Sequence, residues 1–281
     1  MKKILAMAMA VVMALGLSAC GGSNSAASSS AAGSVSGSAS GSASNGDPAF
    51  TTVTPGKLTM STNASFPPYE MVADDGSFEG IDIEVAGAIA EKLGLELQVD
   101  DMGFDAALQA AQTGKSDMVM AGVTVTEERQ AVMDFSNSYA NGVQVVIVKE
   151  DSPIQTLDDL ANANMIGCQM GTTGYIYCSD TVENGGYGED HVTPYDDGAA
   201  AVQALVNGQI DAVVIDNMPA QEYVAANPGL RILDTEYANE DYAIGVAKGN
   251  TALLDAINGA LEELTNDGTI QSIVDKYISA N

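Results

Sequence analysis

Twice in this chain a helical stretch ends at a glycine, passes through a short polar step to an aspartate, and enters an apolar run. The first copy is Gln112-Thr113-Gly114-Lys115-Ser116-Asp117-Met118-Val119-Met120, the second Val206-Asn207-Gly208-Gln209-Ile210-Asp211-Ala212-Val213-Val214. Glycine after the last periodic residue stops a helix because it enters the left-handed region without a Cβ clash. Each run after the aspartate is too short for a helix and suits a buried strand. A repeated helix-to-strand delivery predicts an α/β fold of two similar lobes, each with a site at the carboxyl ends of its strands.

Other segments agree with that class. KLTMST, ELQVD, VQVVIVK, MIGCQ, LRILD and YAIGVAK read as strands. Helices are expected over IDIEVAGAIAEKLG, where Ile81, Val85, Ala88, Ile89 and Leu93 repeat on one face, and over FDAALQAAQTG, DGAAAVQALVNG, NMPAQEYVAAN and TALLDAINGALEELTNDG.

Residues 1–20 are read as a leader. Lys2 and Lys3 precede an apolar run from Ile4 to Leu17, then Ser18, Ala19 and Cys20. That run is short for a bilayer span, and small residues before a cysteine resemble a bacterial lipoprotein signal, which makes Cys20 the lipidated N-terminus. The expected location is therefore the extracytoplasmic face of the cell membrane. Residues 21–56 are assigned to a disordered tether, since the Ser, Ala and Gly from Gly21 to Asp47 bury too little apolar surface to offset ordering entropy. Such a coil spans roughly 29 Å between its ends.

The formal charge of −28 argues against a nucleic-acid partner and against docking on anionic lipid. Cysteine and histidine chemistry is sparse: beyond Cys20 there are Cys168, Cys178 and one histidine, His191, in a polar loop. No metal site, cofactor or catalytic constellation is expected. Cys168 and Cys178 suit a disulfide or two buried thiols.

The segment AGVTVTEERQAVMDFS carries more chemistry. Thr126 is placed to cap a short helix containing Arg129. The planar fork of Arg129 suits a carboxylate of a ligand, or an ion pair with Glu127, Glu128 or Asp134. Arg231, the other arginine, lies at a strand edge and reads as structural.

Six segments in order, STNASFPPYE, GIDIEVAGAIAEKLG, FDAALQAAQTGKSD, AGVTVTEERQAVMDFS, IGCQMGTTG and GQIDAVVIDN, resemble the polar amino-acid-binding proteins of ABC importers, extracellular solute-binding protein family 3. The resemblance covers essentially all of residues 57–281. It implies a two-lobed clamp of the periplasmic-binding-protein type, each lobe a mixed, mostly parallel sheet flanked by helices. Lobe one is expected over residues 57–146 and 238–281 and lobe two over 147–237, with hinges near Gln144–Lys149 and Asp234–Asp241.

The same resemblance implies that a free amino acid is held by its α-carboxylate at Arg129, with Thr124 and the Thr173 main chain. Asp216 would hold the ammonium, with Gly122 and Thr124. Asp216 also stands where it would cap the helix starting at Asn217. Phe66, Tyr69 and Phe104 match side-chain contacts, and Gln169 matches a contact of arginine- and lysine-binding members. Asn63 stands where cation-binding members often have aspartate, so a neutral polar ligand such as glutamine is favoured over a cationic one. The implied partners are an ABC permease with its ATPase, and the implied state is a monomer. A receptor-presenting sensor, or an enzyme on the same fold, is the alternative.

Overall fold

A computed structural model describes residues 50–278. The leader, Cys20 and the tether as far as residue 49 lie outside the described residues, as do 279–281.

The first half of the chain forms β1 (Lys57–Thr62), β2 (Ser65–Phe66), β3 (Glu70–Val72), β4 (Phe78–Glu79), α1 (Ile81–Lys92), β5 (Glu96–Asp101), α2 (Phe104–Gln112), β6 (Met118–Val119), α3 (Glu127–Val132) and β7 (Met133–Lys149). It continues with β8 (Ile166–Gln169), α4 (Thr173–Ser179), β9 (Val192–Tyr195), α5 (Gly198–Val206), β10 (Ala212–Asp216), α6 (Asn217–Ala226), β11 (Leu230–Ile232), β12 (Ala238–Ala247), α7 (Thr251–Asn266) and α8 (Thr269–Tyr277).

The main sheet runs β5-β1-β6-β12-β7-β10-β8-β9, with β11 beside β7. β5, β1 and β6 are parallel, as are β10, β8 and β9. Between these triplets β12 and β7 pair antiparallel, from Ala247↔Met133 to Ala238↔Gln144. β7 then continues beside β10 and β11. This is an α/β two-lobed clamp whose triplets are joined through the β7–β12 ladder.

Each side has its own apolar interior. Leu58, Met60, Ile89, Ile244 and Leu253 pack in one, with Phe104, Val119 and Met133 nearby; Ile147, Leu205 and Val213 line one face of the other sheet and Val146, Ile166 and Val214 the opposite face. Burial on both faces explains why β10 reads as a continuous apolar run. Of the α1 stripe, Ile81, Val85 and Ile89 are buried, and Ala88 and Leu93 pack half-buried against the same interior.

The repeated motif makes the same turn twice. Gly114 and Gly208 have φ of 69° and 70°. Lys115 N donates to Ala110 O at 2.8 Å and Gln209 N to Ala204 O at 2.9 Å, which closes each helix C-terminus. Asp117 Oδ2 accepts Thr59 N at 2.7 Å, and Asp211 Oδ2 accepts Asn164 N at 2.7 Å. Each aspartate thus pins the start of the neighbouring parallel strand, β1 or the approach to β8.

Four features differ from the sequence reading. β7 begins at Met133, ten residues before the apolar run VQVVIVK, because the more polar residues ahead of that run find ladder partners on β12. Conversely, β6 covers only Met118–Val119 of the strand expected in the apolar run after Asp117. α4 and α8 were not anticipated: α4 is only seven residues long, and α8 follows α7 directly after Gly268 although Ile270, Ile273, Val274 and Tyr277 give it an apolar face. Residues 50–56, assigned to the tether, pack against the fold: Phe50 joins the apolar interior, and Val53 N donates to Asp117 Oδ1 at 2.7 Å. A phenylalanine supplies the buried area that the Ser/Ala/Gly stretch lacks.

Cys168 and Cys178 are free, buried thiols, Cys168 Sγ donating to Gly174 O at 3.6 Å and Cys178 Sγ to Tyr237 OH at 3.7 Å. His191 is exposed.

Asp117→Ala would strand the buried Thr59 amide and hydroxyl together with Val53 N, costing roughly 2 to 4 kcal/mol, whereas Asp211→Ala, which loses only solvent-exposed bonds to Asn164, should cost about 1 kcal/mol or less. Urea unfolding midpoints of the two variants check the difference.

Candidate functional site

The carboxyl ends of β1, β6, β8 and β10 meet at a cavity of about 30 Å³. Its walls include Asn63, Phe66, Phe104, Gly122, Thr124, Arg129, Gln169, Thr173 and Asp216. All nine are among the expected ligand contacts. Tyr69, the tenth, stands behind the wall: it is buried, stacks on Phe66 at 5.6 Å between centroids, and meets Tyr242 edge-on. Its ring supports Phe66 and does not line the cavity, because the Pro67-Pro68 turn sends successive side chains in different directions.

The cavity holds no more than a water or two. Its closure comes from contacts across the two sides. Gln169 Nε2 donates to Asn63 Oδ1 at 2.8 Å, Arg129 Nη2 to Gly171 O at 3.1 Å, and Tyr223 OH to Ser65 O at 3.0 Å, while the hydroxyls of Thr124 and Thr173 lie 3.4 Å apart. Anything larger enters only when these contacts part.

Arg129 sits in α3, whose first turn is capped by Thr126 as expected: Thr126 Oγ1 accepts Arg129 N at 3.2 Å. Its guanidinium is buried and makes none of the ion pairs with Glu127, Glu128 or Asp134 that its spacing allows. Asp134 pairs with Lys248. Arg129 Nη1 donates to Thr124 O at 2.8 Å, and the guanidinium lies 5.4 Å from the centre of the Phe104 ring. Burial works against its charge, and the field of Glu240 supports it. A buried cation held by carbonyls and an aromatic face is equipped to receive an anion.

On the other side Asp216 ends β10. Its Oδ1 accepts Met218 N at 3.0 Å, the N-cap bond of α6, while Oδ2 accepts Val143 N at 2.8 Å and Tyr242 OH at 3.0 Å. Capping and facing the cavity are done by one carboxylate. Burial pushes its carboxyl up to about 6, and the two amide bonds and the Tyr242 bond hold it from rising further.

Gly122 turns between these groups at φ 54°, where a Cβ would stand 2.8 Å from the Phe66 ring. Its N–H is held by Asp82 Oδ2 at 3.0 Å, and Tyr139 OH donates to the same oxygen at 2.8 Å.

Several wall residues were not singled out from the sequence: Glu70, Gln144, Thr172 and Tyr242. Glu70 is fully buried, and neither of its carboxyl oxygens has a hydrogen-bond donor among the described residues. Burial, then the field of Asp82, pushes its carboxyl well above the usual range. An acidic residue directly after Phe-Pro-Pro-Tyr was the available signal. Glu240 of β12 lies just behind, its Oε2 accepting Thr124 Oγ1 at 2.9 Å and Gln144 Nε2 at 3.0 Å. Gln144, Glu240 and Tyr242 belong to β7 and β12, and only the strand pairing brings them to the cavity.

With this geometry the chain can be placed. It belongs to the bacterial extracellular solute-binding proteins, family 3, whose model matches residues 58–280. It is 31% identical to a probable histidine-binding protein of Neisseria gonorrhoeae, over 99% of this chain and 96% of that one. Among solved structures it resembles an ancestral arginine-binding protein bound to glutamine, with 39% identity and a TM-score of 0.73, covering 81% of this chain and 100% of the other. It also resembles the arginine-, lysine-, histidine-binding protein ArtJ from Geobacillus stearothermophilus, with 30% identity and a TM-score of 0.74, covering 80% of this chain and 96% of that one. The chain is an amino-acid-binding protein of the ABC-transporter type.

Removing the phenol hydroxyl in Tyr242→Phe deletes a donor to the ionised form of Asp216. The Asp216 carboxyl, which titrates at about 6, should then titrate higher. Carbon NMR of the carboxyl resonances across the acid range checks this, and an unchanged midpoint would count against the hydrogen bond.

Proposed function

We propose that the protein captures one free α-amino acid by closure of its two lobes and hands it to a membrane permease driven by an ATPase. The observation that carries the reading is the pairing of Arg129 and Asp216, a buried cation and a buried carboxylate on one small cavity. A zwitterion needs both ends compensated once water is excluded. Arg129 takes the α-carboxylate, with the Thr173 main chain; Asp216 takes the ammonium, with the Gly122 main chain. Thr124 Oγ1 already donates to Glu240, so toward the ammonium it acts as an acceptor.

Lobe one comprises residues 57–146 and 238–281 and lobe two 147–237, so that β7 and β12 act as the hinge. Phe66 and Phe104 flank the ligand side chain, and Asn63 and Gln169 reach its end. Closure is favoured because the ligand touches both lobes only in the closed form.

Glu70 favours a cationic side chain, of the arginine or lysine kind, over the neutral one that Asn63 suggests. A buried carboxyl with both oxygens free of donors accepts readily from a guanidinium or ammonium group. The arginine- and histidine-binding relatives support the same choice. Glutamine is the second reading, favoured by Asn63: its Oδ1 already accepts from Gln169 and Ser65, which leaves its amide N–H groups for a ligand carbonyl. Lipidation at Cys20 would keep the protein on the outer face of the cytoplasmic membrane, acting as a monomer that binds one ligand. The role is capture and delivery, not catalysis.

Calorimetry of the chain against the twenty amino acids, ornithine, citrulline and cystine tests the reading, with micromolar or tighter binding of arginine, lysine or glutamine expected. Arg129→Ala should fold and lose roughly 2 to 5 kcal/mol of binding. Unchanged affinity in that variant would refute the site.

A further inference from the structure

Glu70 and Asp82 are two fully buried carboxyl groups in contact beside the cavity, and their own partners do not satisfy them. Glu70 lines the wall and has no donor on either oxygen; Asp82 lies behind it and has donors on Oδ2 only. They stand on adjoining backbone, Asp82 N donating to Tyr69 O at 2.8 Å, and each carboxyl acts on the other through a side-chain hydrogen bond. A hydrogen bond between two carboxyl groups requires that one of them carry a proton, and two like charges so close in a dry site do not both ionise.

Among the described residues, no basic side chain acts on either carboxyl in place of that proton. The ionisable groups acting on Glu70 are Asp82 of α1, Asp101 of β5 and Asp216 of β10. Asp82 additionally meets Tyr139 of β7, and Tyr69 and Tyr223 of α6 feel the field of Glu70. Tyr242 of β12 also lines the cavity. All of these are acidic or phenolic. Arg129, the basic side chain of the cavity, is engaged with Thr124 O, Gly171 O and the Phe104 ring.

We propose that Glu70 and Asp82 share one proton, and that a cationic ligand side chain displaces it, so that the protonation of this pair selects between neutral and cationic amino acids. The inference rests on the amino-acid reading of the cavity. In the step, the O–H bond of Glu70 breaks, its electron pair stays on the carboxylate, and the proton leaves to bulk buffer as the ligand cation takes its place. A neutral amide meets the protonated pair and releases nothing. Below the titration point of the pair, the preference for arginine over glutamine should rise about tenfold per pH unit. Protonation of Asp216 weakens both ligands alike and cancels in that ratio.

The test is titration calorimetry of the full chain with L-arginine and L-glutamine, in buffers of contrasting ionisation enthalpy, from about pH 5 to 9. Arginine should release close to one proton more than glutamine, and in Glu70→Gln the excess should vanish while arginine affinity falls at least about tenfold. Equal proton release for both ligands, with a pH-independent affinity ratio, would overturn the proposal. Infrared spectroscopy decides the proton sharing without any ligand. The wild type should show the carbonyl stretch of a protonated carboxylic acid near neutral pH, and Glu70→Gln should lose it. Absence of that band in the wild type overturns the shared proton, whereas the band together with no binding of either amino acid would refute the ligand reading instead.

Discussion

The antiparallel ladder between β7 and β12 is the interaction on which the rest depends. It joins the two parallel triplets, and it also delivers Gln144, Glu240 and Tyr242 to the cavity. Val143 N, on the same ladder, helps hold Asp216. Glu240 ties β12 to Thr124 on one side and to the adjoining strand through Gln144. A motion that bends these strands therefore acts directly on the groups that face the ligand. Ladder and cavity wall are one hydrogen-bonded network.

Inside that network the charges are arranged so that few are compensated by each other. Arg129 is held by carbonyls and a ring, and Asp216 by amides and a phenol. Each is kept soluble in the protein by dipoles while its full counter-charge is left to a guest. Buried groups in this condition gain much more from an opposite charge than surface groups do. The acidic Glu70 and Asp82 add a third position where charge is adjustable by protonation.

The fold was legible because its signals are local. Gly114 and Gly208 announce their helix ends, the aspartates that follow announce the strands, and Thr126 announces α3. Arg129 and Asp216 were legible as residue types at strand ends, helped by the family resemblance. Tyr69 was misplaced by one layer, since the course of the chain through Pro67-Pro68 decides which ring faces inward. Glu240, Gln144 and Tyr242 were illegible for another reason: Glu240 lies 116 residues from Thr124 and 96 from Gln144, Tyr242 lies 26 from Asp216, and no local pattern marks a side chain that acts through strand pairing. Phe50 was absorbed into a compositional tether although one large apolar side chain suffices to dock its end.

The two aspartate anchors stand at the amino ends of the strands they serve, whereas Asn63, Gly122, Gln169 and Asp216 stand at or just beyond carboxyl ends. Apart from Asp216, which also caps α6, the strand-start anchors and the cavity wall are thus separated by the length of a strand. Residues at the recognition end can be exchanged during evolution with little penalty at the folding end. A scaffold divided in this way can accept changes of wall residue without rebuilding its strand starts, and its relatives carry names that range over histidine, arginine and glutamine.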